Sequence, residues 1–592
     1  MNKEMILQYF FQPIDAEKNA VNSNHAKLLS NTLFSIISIS LLSLILYLAW
    51  SLDRGFDITD EAFYITNAMY PESIKAGLTF QHWLLAPLWN LSGTLTSFRA
   101  VGLLLLIFSS SILTLGFLNS CQSLGLTIRA KSAPYIILFS TVTAALLYNS
   151  MIPTSPSYNL LASAFTYLAI GFCLLSAGKT LSISLVSLFV FIGVSISCIF
   201  IAKFSSAVTA LFIVLIYICI FSSSIKEKIV GLITIFFTSV FTTLGFIYYY
   251  SSLDDVVDIL TLGSEVRSLG RESNLHPITL IIRYFTDYFR YLMDAFDAFV
   301  IPLLTMFAYV VSKQRVFAAL SIISLVTILV LNGYLEGGST FINYTSQMLA
   351  LIALLIISLL LSFKIWTKNI STFLLFFGLF LLPYSIAIGT GNKLHWHVIT
   401  SLASWGTIMT ALACIERPKN QNQLLGLSIC CLFSLTITFQ VTSIAFGSPY
   451  HLNSPIVEQL IPVKIGNIGT VKVDEDTKKF IDNLSAAVEK CNILPNTPYI
   501  GLYNNIGVAL AIKGQPFVAH WVDTLTQAQF VLNNADPSLR AKAVVGLRHW
   551  VNEQGKITLP DTFGNFGKNY RLCGVATYPF MNQPIGIYKP NT

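Results

Sequence analysis

"SIISISLLSLILYLAWSLDRGFDITDEAFYI", residues 35–65, begins as uninterrupted apolar chain and ends among carboxylates, Asp57, Asp60 and Glu61. The run to which it belongs, about residues 29–50, is long enough as a helix to cross ~30 Å of hydrocarbon. It follows about 28 mostly polar residues and exceeds the usual core of a signal peptide, so it reads as a retained span. A set of acids directly beyond such a span is either a solvated loop that caps the next helix or chemistry at the membrane face.

The rest of the chain sets the class. Of 592 residues, 54% are hydrophobic and only 11% charged, and the mean hydropathy is +0.67; most of this chain cannot be a soluble domain. Runs long enough to span recur at about 29–50, 99–118, 133–149, 159–177, 181–202, 205–222, 229–250, 296–311, 316–333, 346–363, 370–388, 398–415 and 424–445, about thirteen in all. The net charge of +7 resides in short loops, and no basic patch interleaved with aromatics of the nucleic-acid type is present. Arg129, Lys131, Lys179, Lys226, Lys228, Lys313, Arg315, Lys364, Lys368, Arg417 and Lys419 lie in one set of loops, whereas the alternate loops 150–158 and 334–345 have no Lys or Arg. By the positive-inside rule the basic set is cytoplasmic. The N-terminus is then inside, and residues 51–98, 251–295 and the tail at 446–592 are outside, as for a protein of the inner or plasma membrane.

The tail changes composition sharply. "KVDEDTKKFIDNLSAAVEKC" (472–491) has acids first and helical periodicity after them. "PYIGLYNN" (498–505), "NYRLCGVATYP" (569–579) and "PIGIYKP" (584–590) read as strands bounded by Gly, Pro and Asn. "DPSLRAKAVVGLRHWVNEQG" (536–555), with Asp-Pro at its start and Gly at its end, reads as a second helix. The expectation is an extracytoplasmic α/β domain over 446–592, with a core of its own, behind a membrane domain over 1–445. Of nine cysteines only Cys491 and Cys573 fall in this tail. In an oxidising compartment they are expected to pair, while the other seven read as packing residues.

The acids have a plain structural reading, with Asp60 as an N-cap and Glu61 as a first-turn partner of the helix dipole. Directly after them comes "AFYITNAMYPESIKAGLTFQHWLLAPLWNL" (62–91), an amphipathic segment that suggests a helix along the membrane surface. Pro87 and Leu88 then precede a short helix, and Arg99 opens the second long run. This order resembles the GT-C fold of glycosyltransferases that use polyprenyl-phosphate-linked sugars, among them the lipid A aminoarabinose transferases and the protein O-mannosyltransferases. In that fold the first outer loop carries an Asp-Glu pair, a surface helix, a Pro-Leu stretch and an Arg entering the second span. The resemblance covers the membrane region and its count of spans.

That resemblance implies a hexosyl- or pentosyltransferase, moving a sugar from a polyprenyl-phosphate donor to a hydroxyl of a glycan, lipid or protein acceptor at the outer face. Asp60 would be the base that takes the acceptor's proton, Glu61 its neighbour holding acceptor or water, and Asp57 the reserve. Direct displacement would invert the anomeric centre. The similar families place a Lys where Lys203 stands, usually before Gly-Pro; here it is followed by Phe204-Ser205-Ser206. Lys203, Arg271, Arg283 and, by the resemblance, Arg99 are the expected contacts of the donor phosphate. Snorkelling by Lys203 and ion pairs of Arg283 and Arg290 with Asp287 are the structural alternatives.

Other polar positions on the same face are candidates for substrate contact: His82, Tyr158 and Asn159, Tyr334, Glu336 and Tyr344, and Asn392, Lys393 and His395. Some relatives carry a second Asp near Tyr158 and Asn159, which this chain lacks. His395 and His397, two residues apart, diverge on a helix and face opposite ways on a strand, which disfavours a zinc pair. No cofactor is required by the sequence, and a divalent cation remains open. A lipid-linked oligosaccharide ligase or polymerase would use the same face and similar donors. A transporter or flippase would call for charges deep in the bundle and two related halves, and neither pattern is found; a non-catalytic membrane scaffold is the remaining alternative. Cysteine labelling or reporter fusions should place residue 60 and the 446–592 tail outside the membrane and residues 226 and 364 inside; a cytoplasmic tail would overturn this topology.

Overall fold

The computed structural model describes residues 23–128, 132–150, 155–270, 277–335, 341–389, 391–415, 423–548, 559–564, 566–580 and 582–591. Among them nine helices are long and apolar enough to cross a membrane, from Ser30–Ser51 to Leu424–Ala445. Two further pairs qualify only together and are bent: Ile278–Ala298 with Val300–Ser312 by 82°, and Leu394–Ser401 with Ala403–Cys414 by 59°. Arg315–Leu331 and Thr345–Leu361 are apolar but shorter. Length and composition therefore give nine spans, or eleven with the bent pairs, against the thirteen runs of the sequence.

Small and hydroxylated residues hold the helices together, as expected where lipid removes the hydrophobic drive between them. A Cβ on Gly116 would fall on the Gly171 carbonyl, and one on Gly171 would lie 2.8 Å from the Ile112 backbone, so Leu95–Ser123 and Tyr158–Leu175 pack backbone to backbone. Hydroxyl pairs bridge others: Ser40 with Thr438 at 2.7 Å, Thr141 with Thr407 at 2.9 Å and Ser140 with Ser434 at 3.2 Å. Tyr158–Leu175 is the most enclosed span, 78% of its apolar window being buried, while Ile225–Tyr250, at 11%, presents nearly its whole surface outward.

The stretch expected as an outer loop, 251–295, is mostly helical. Leu253–Ser268 begins with a capping box of Ser252 and Asp255, and Pro277–Ala298 comes next. After the first span come three short helices, Asp60–Met69, Pro71–Ser73 and Gln81–Ser92, in place of one long surface helix. Pro87 sits within Gln81–Ser92 instead of preceding a helix.

In the tail, β1 (Ile461–Lys464) and β2 (Thr470–Val473) form an antiparallel pair. Beyond it lies a five-stranded sheet, in the order β4 (Gln515–Pro516), β3 (Pro498–Leu502), β5 (Val544–Arg548), β7 (Gln583–Pro590), β6 (Tyr570–Tyr578). β3 is parallel to β4 and β5, while β7 is antiparallel to β5 and β6. The helix read at 472–491 forms as Glu475–Cys491, with Asp474 accepting from the Thr477 amide at 2.8 Å and Asn492 closing it in the left-handed region. Cys491 at its end is bonded to Cys573 on β6. The second expected helix is cut short at Pro537–Lys542, and Val544–Arg548 becomes the central strand, every residue buried. Its β-branched Val544 and Val545 lie between two neighbours and are covered on both faces, an environment that favours extended chain over a helix.

The tail does not stand apart. One apolar core joins Phe56, Ile58, Ala62, Phe80, Leu85 and Phe98 of the first loop and second span to Val463, Phe480, Tyr499, Val508 and Tyr578 of the tail. Backbone bonds stitch the seam: Lys472 N to Asp53 O at 2.6 Å, Lys75 N to Val518 O at 2.8 Å and Gly507 N to Ile58 O at 2.8 Å. A Cβ at Gly507 would lie 2.5 Å from Ile58 Cα, whereas one at Gly567 meets nothing within 4 Å. Gly507→Ala should therefore cost about 1–3 kcal/mol as an overpacked contact, read as a lower melting temperature, and Gly567→Ala should leave the melt unchanged or slightly raised.

Candidate active site

The three acids of the opening stretch diverge in role once placed. Asp57 is buried, and its carboxylate accepts from the Thr59 amide at 2.8 Å, the Thr59 hydroxyl at 2.6 Å and the Glu61 amide at 3.2 Å. It thus satisfies the first turn of Asp60–Met69 from outside, doing the capping that the plain reading gave to Asp60. Glu61 is paired with Arg99 through two bonds, Nε to Oε1 at 2.7 Å and Nη2 to Oε2 at 2.6 Å, and also accepts from Ser155 Oγ at 2.6 Å. Arg99 spends its remaining donors on the carbonyls of Leu52, Arg54 and Gly55 at 2.8–2.9 Å. All five guanidinium N–H groups are engaged inside the protein. Arg99, expected on a donor phosphate, therefore has none left for one, and Glu61 serves the fold in place of an acceptor or water.

Asp60 is the acid that reaches solvent, its side chain 25% exposed against 1% for Asp57 and Glu61. Tyr450 donates its hydroxyl to Oδ2 at 2.5 Å. His451 Nδ1 lies 3.7 Å from that oxygen, 3.6 Å from Asp57 Oδ1 and 2.7 Å from the Thr59 hydroxyl. Burial, then the negative charge of Asp57, push the Asp60 carboxyl up to about 6, against the pull of His451 and the Tyr450 bond. For Asp57 burial works upward too, but His451 and the Thr59 bonds outweigh it and hold the group below its ordinary value. The same two carboxylates raise His451 despite its burial.

Sequence reasoning missed Tyr450 and His451. They stand in "GSPYHLNSP" (447–455), just after the last long span, where their type and place were the available signal. His451 holds φ at 54°, unusual for a side chain with a Cβ. Its ring stacks on Tyr450 at 3.8 Å and tilts against Phe580 at 5.1 Å, so the linker into the tail is clamped over the acids. Asp57, Asp60 and His451 each offer a ligand atom within 4.8 Å of the others. Two carboxylates and an imidazole are a donor set that fits a divalent cation.

A second polar group forms from residues the sequence singled out. Lys203, at the break between Ile183–Ala202 and Phe204–Phe221, is buried and donates to Ile386 O at 2.9 Å, Ala387 O at 3.3 Å and Asn159 Oδ1 at 3.4 Å. Its ammonium lies 5.8 Å from the centre of the Tyr158 ring. Asn159 and Asn392 each reach His397 at 3.4 Å. Arg283 donates to the carbonyls of Gly391 and Asn392 at 2.8 and 3.0 Å, fastening that loop, and among the described residues the ion pair on its helix is Arg290 with Asp294 at 3.9 Å, not the expected one through Asp287. Tyr64, one helical turn from Asp60, approaches Tyr158 at 6.2 Å between ring centres and links the two groups.

The remaining candidates lie elsewhere. His82 is buried beside Phe80 and Trp83, and burial pushes it down to about 3, so it stays neutral at ordinary pH. His395 lies against the Tyr291 ring, tilted by 41°, and is bonded to Thr345 at 3.1 Å, and Lys393 lies 5.3 Å from the Trp396 ring centre. Tyr334 packs on Phe299, its carbonyl accepting from Gln440 at 3.1 Å. Arg271 and Glu336 lie outside the described residues, as does the side chain of Tyr344.

No family profile and no curated protein matches the chain. Among solved structures it is similar to the oligosaccharyltransferase of Archaeoglobus fulgidus, solved with Zn and sulfate, at 11% identity and a TM-score of 0.45. That match covers 92% of this chain and 79% of the other. It is also similar to ArnT from Cupriavidus metallidurans in its apo state, at 10% identity and a TM-score of 0.38, over 93% and 97% of the two chains. At these scores neither likeness carries an argument about activity, which is left to the geometry of the site.

The pairing of Glu61 with Arg99 makes a prediction opposite to a ligand role. Arg99→Met leaves Glu61 charged and buried, and should destabilise the protein by about 3–5 kcal/mol. A lower melting temperature, with the donor affinity of the folded fraction unchanged, is the expected result. A normal melt with weakened donor binding would return Arg99 to the phosphate.

Proposed function

We propose that this chain is a membrane glycosyltransferase of the GT-C kind, moving a sugar from a polyprenyl-phosphate donor to an acceptor hydroxyl at the outer membrane face, with Asp60 as its base. The observation that carries this reading is the contrast among three adjacent acids. Two are buried in structural bonds, while Asp60 is part-exposed, unpaired by any Lys or Arg among the described residues, and poised to exchange a proton near neutrality.

In the proposed reaction Asp60 accepts the proton of the acceptor hydroxyl as that oxygen bonds to the anomeric carbon. The bond from the anomeric carbon to the phosphate oxygen breaks, and polyprenyl phosphate leaves with both electrons. A single displacement of this kind inverts the anomeric centre. Tyr450, donating to Oδ2, directs the second oxygen of Asp60 toward the acceptor. The positive end of Lys203 would face the leaving phosphate, exchanging its 3.4 Å contact with Asn159 for a phosphate oxygen. Asp57, Asp60 and His451 would also hold a divalent cation, which would supply Lewis-acid stabilisation of negative charge. With that ion bound Asp60 would be a ligand held ionised, so the base role belongs to the site without it.

Asp60→Asn keeps the shape and removes the base. Transfer in proteoliposomes should fall by ~10²–10⁴-fold with the melting temperature little changed. Transfer close to the wild-type rate would reject Asp60 as the base. The raised value of Asp60 also fixes a pH profile. The base works deprotonated, so transfer should rise as pH climbs through about 6 and level off above it, and a rate flat from pH 5 to 8 would reject Asp60.

A further inference from the structure

Pro277–Ala298 is too charged to cross a membrane, since Arg283, Asp287, Arg290, Asp294 and Asp297 all lie along it. Their spacing of four and three residues gathers them on one side of the helix. Tyr284, Tyr291 and Ala295 form a second side, buried against the protein. The third side is apolar. Ile278, Ile282, Phe285, Phe289, Met293 and Phe296, again three or four residues apart, are each 41–64% exposed. In water an apolar stripe of this length would be an aggregation liability.

Contacts near both ends set the direction of the helix axis. Toward its start, the Gly389 amide donates to the Tyr284 hydroxyl at 3.1 Å and Arg283 donates to Gly391 O, both just past the end of the span Ile370–Ala387. At its other end Phe299 packs on Tyr334 at 5.0 Å between ring centres, just past the end of Arg315–Leu331. Both of those helices start at a loop bearing Lys or Arg, so by the positive-inside rule their far ends lie on one face of the membrane. A helix tied to two such ends, about 22 Å apart along its axis, runs in the membrane plane. The 82° bend then turns Val300–Ser312 away from that plane, toward Lys313 and Arg315. Ile301, Leu304, Phe307 and Val311, 54–69% exposed, carry the apolar surface along that helix. The stripe is therefore continuous with a surface that acyl chains surround.

From this geometry we infer that Pro277–Ala298 is seated in the membrane surface, its apolar stripe among lipid acyl chains and its charged edge at the headgroups. The loop it fastens reaches Asn159, a partner of Lys203, through Asn392 and His397 at 3.4 Å each, so the seat lies one loop away from Lys203. The test uses the full chain in phosphatidylcholine nanodiscs, with the exposed free thiol removed by Cys219→Ser. Single nitroxide labels enter the stripe through Ile282→Cys, Phe285→Cys, Phe289→Cys or Met293→Cys, and the charged edge through Arg290→Cys or Asp297→Cys. All six side chains are exposed, so the labels displace no packed contact. Power-saturation EPR against oxygen and a water-soluble nickel chelate should place the stripe labels ~5–10 Å inside the headgroup boundary. The edge labels should collide mainly with nickel. Stripe labels reached by nickel as readily as edge labels overturn the lipid seat. So does shielding from both reagents, which would mean that a second copy covers the stripe. Equal depth at all six positions overturns it too, as the mark of a helix that crosses the membrane. Seating in lipid requires no sugar transfer, and Asp60→Asn tests that reading separately.

Discussion

A buried guanidinium sets the terms for this site. Arg99 enters from the second span and gathers Glu61 and three loop carbonyls around one planar group. A carboxylate and a guanidinium removed from water each carry a large desolvation penalty. Only a fully bonded arrangement is tolerable, and a fully bonded arrangement has a single geometry. The turn from the first span into Asp60–Met69 is therefore fixed, and with it the direction in which Asp60 points. The tail adds a second constraint by docking its strands and the Tyr450-His451 linker on the same turn.

Neighbouring acids acquire different chemistry from these constraints alone. Glu61 is neutralised by a cation and sealed. Asp57 is held ionised by amide and hydroxyl donors and by His451. Asp60 receives less stabilisation, feels the negative charge of Asp57 at close range, and so keeps its proton more readily. Environments that pull apart the proton affinities of adjacent carboxyls are a recognised way to assign acid–base roles within one site. Here the divergence comes from the first helical turn and from a linker nearly four hundred residues away.

Much of this was legible in the chain. Apolar runs of spanning length located the helices, and the acid-first periodic segment located Glu475–Cys491. The cluster at 57–61 was legible as a place, because charge directly beyond a span is costly without purpose. The roles within it were not, since they depend on Arg99, Ser155 and His451 arriving from other parts of the chain. Asp60 stood first in the helix and so invited the capping reading, which the structure gives to Asp57. Residues 544–548 were misread because a helical start signal at Asp536-Pro537 was extended past Lys542, and only the neighbouring strands β3 and β7 make that segment extended. The thirteen runs correspond, among the described residues, to nine helices of spanning length, two bent pairs and the shorter apolar helices Arg315–Leu331 and Thr345–Leu361, and a window of hydropathy does not register the 82° bend between Ile278–Ala298 and Val300–Ser312.

The shared core of first loop and tail has a consequence for biogenesis. Thr59 and His451, which touch in the finished protein, are 392 residues apart. At ~5–20 residues per second of synthesis, the first loop waits about 20–80 s before its partner leaves the ribosome. During that interval Ile58 and its apolar neighbours lack the tail surface that later covers them. Asp60 likewise lacks the tyrosine and imidazole that later orient it. A half-made chain thus carries the acids without their finished contacts, and the geometry of the loop is complete only when the final span is threaded and the tail has folded onto it. The order of translation itself therefore sets when this loop acquires its final shape.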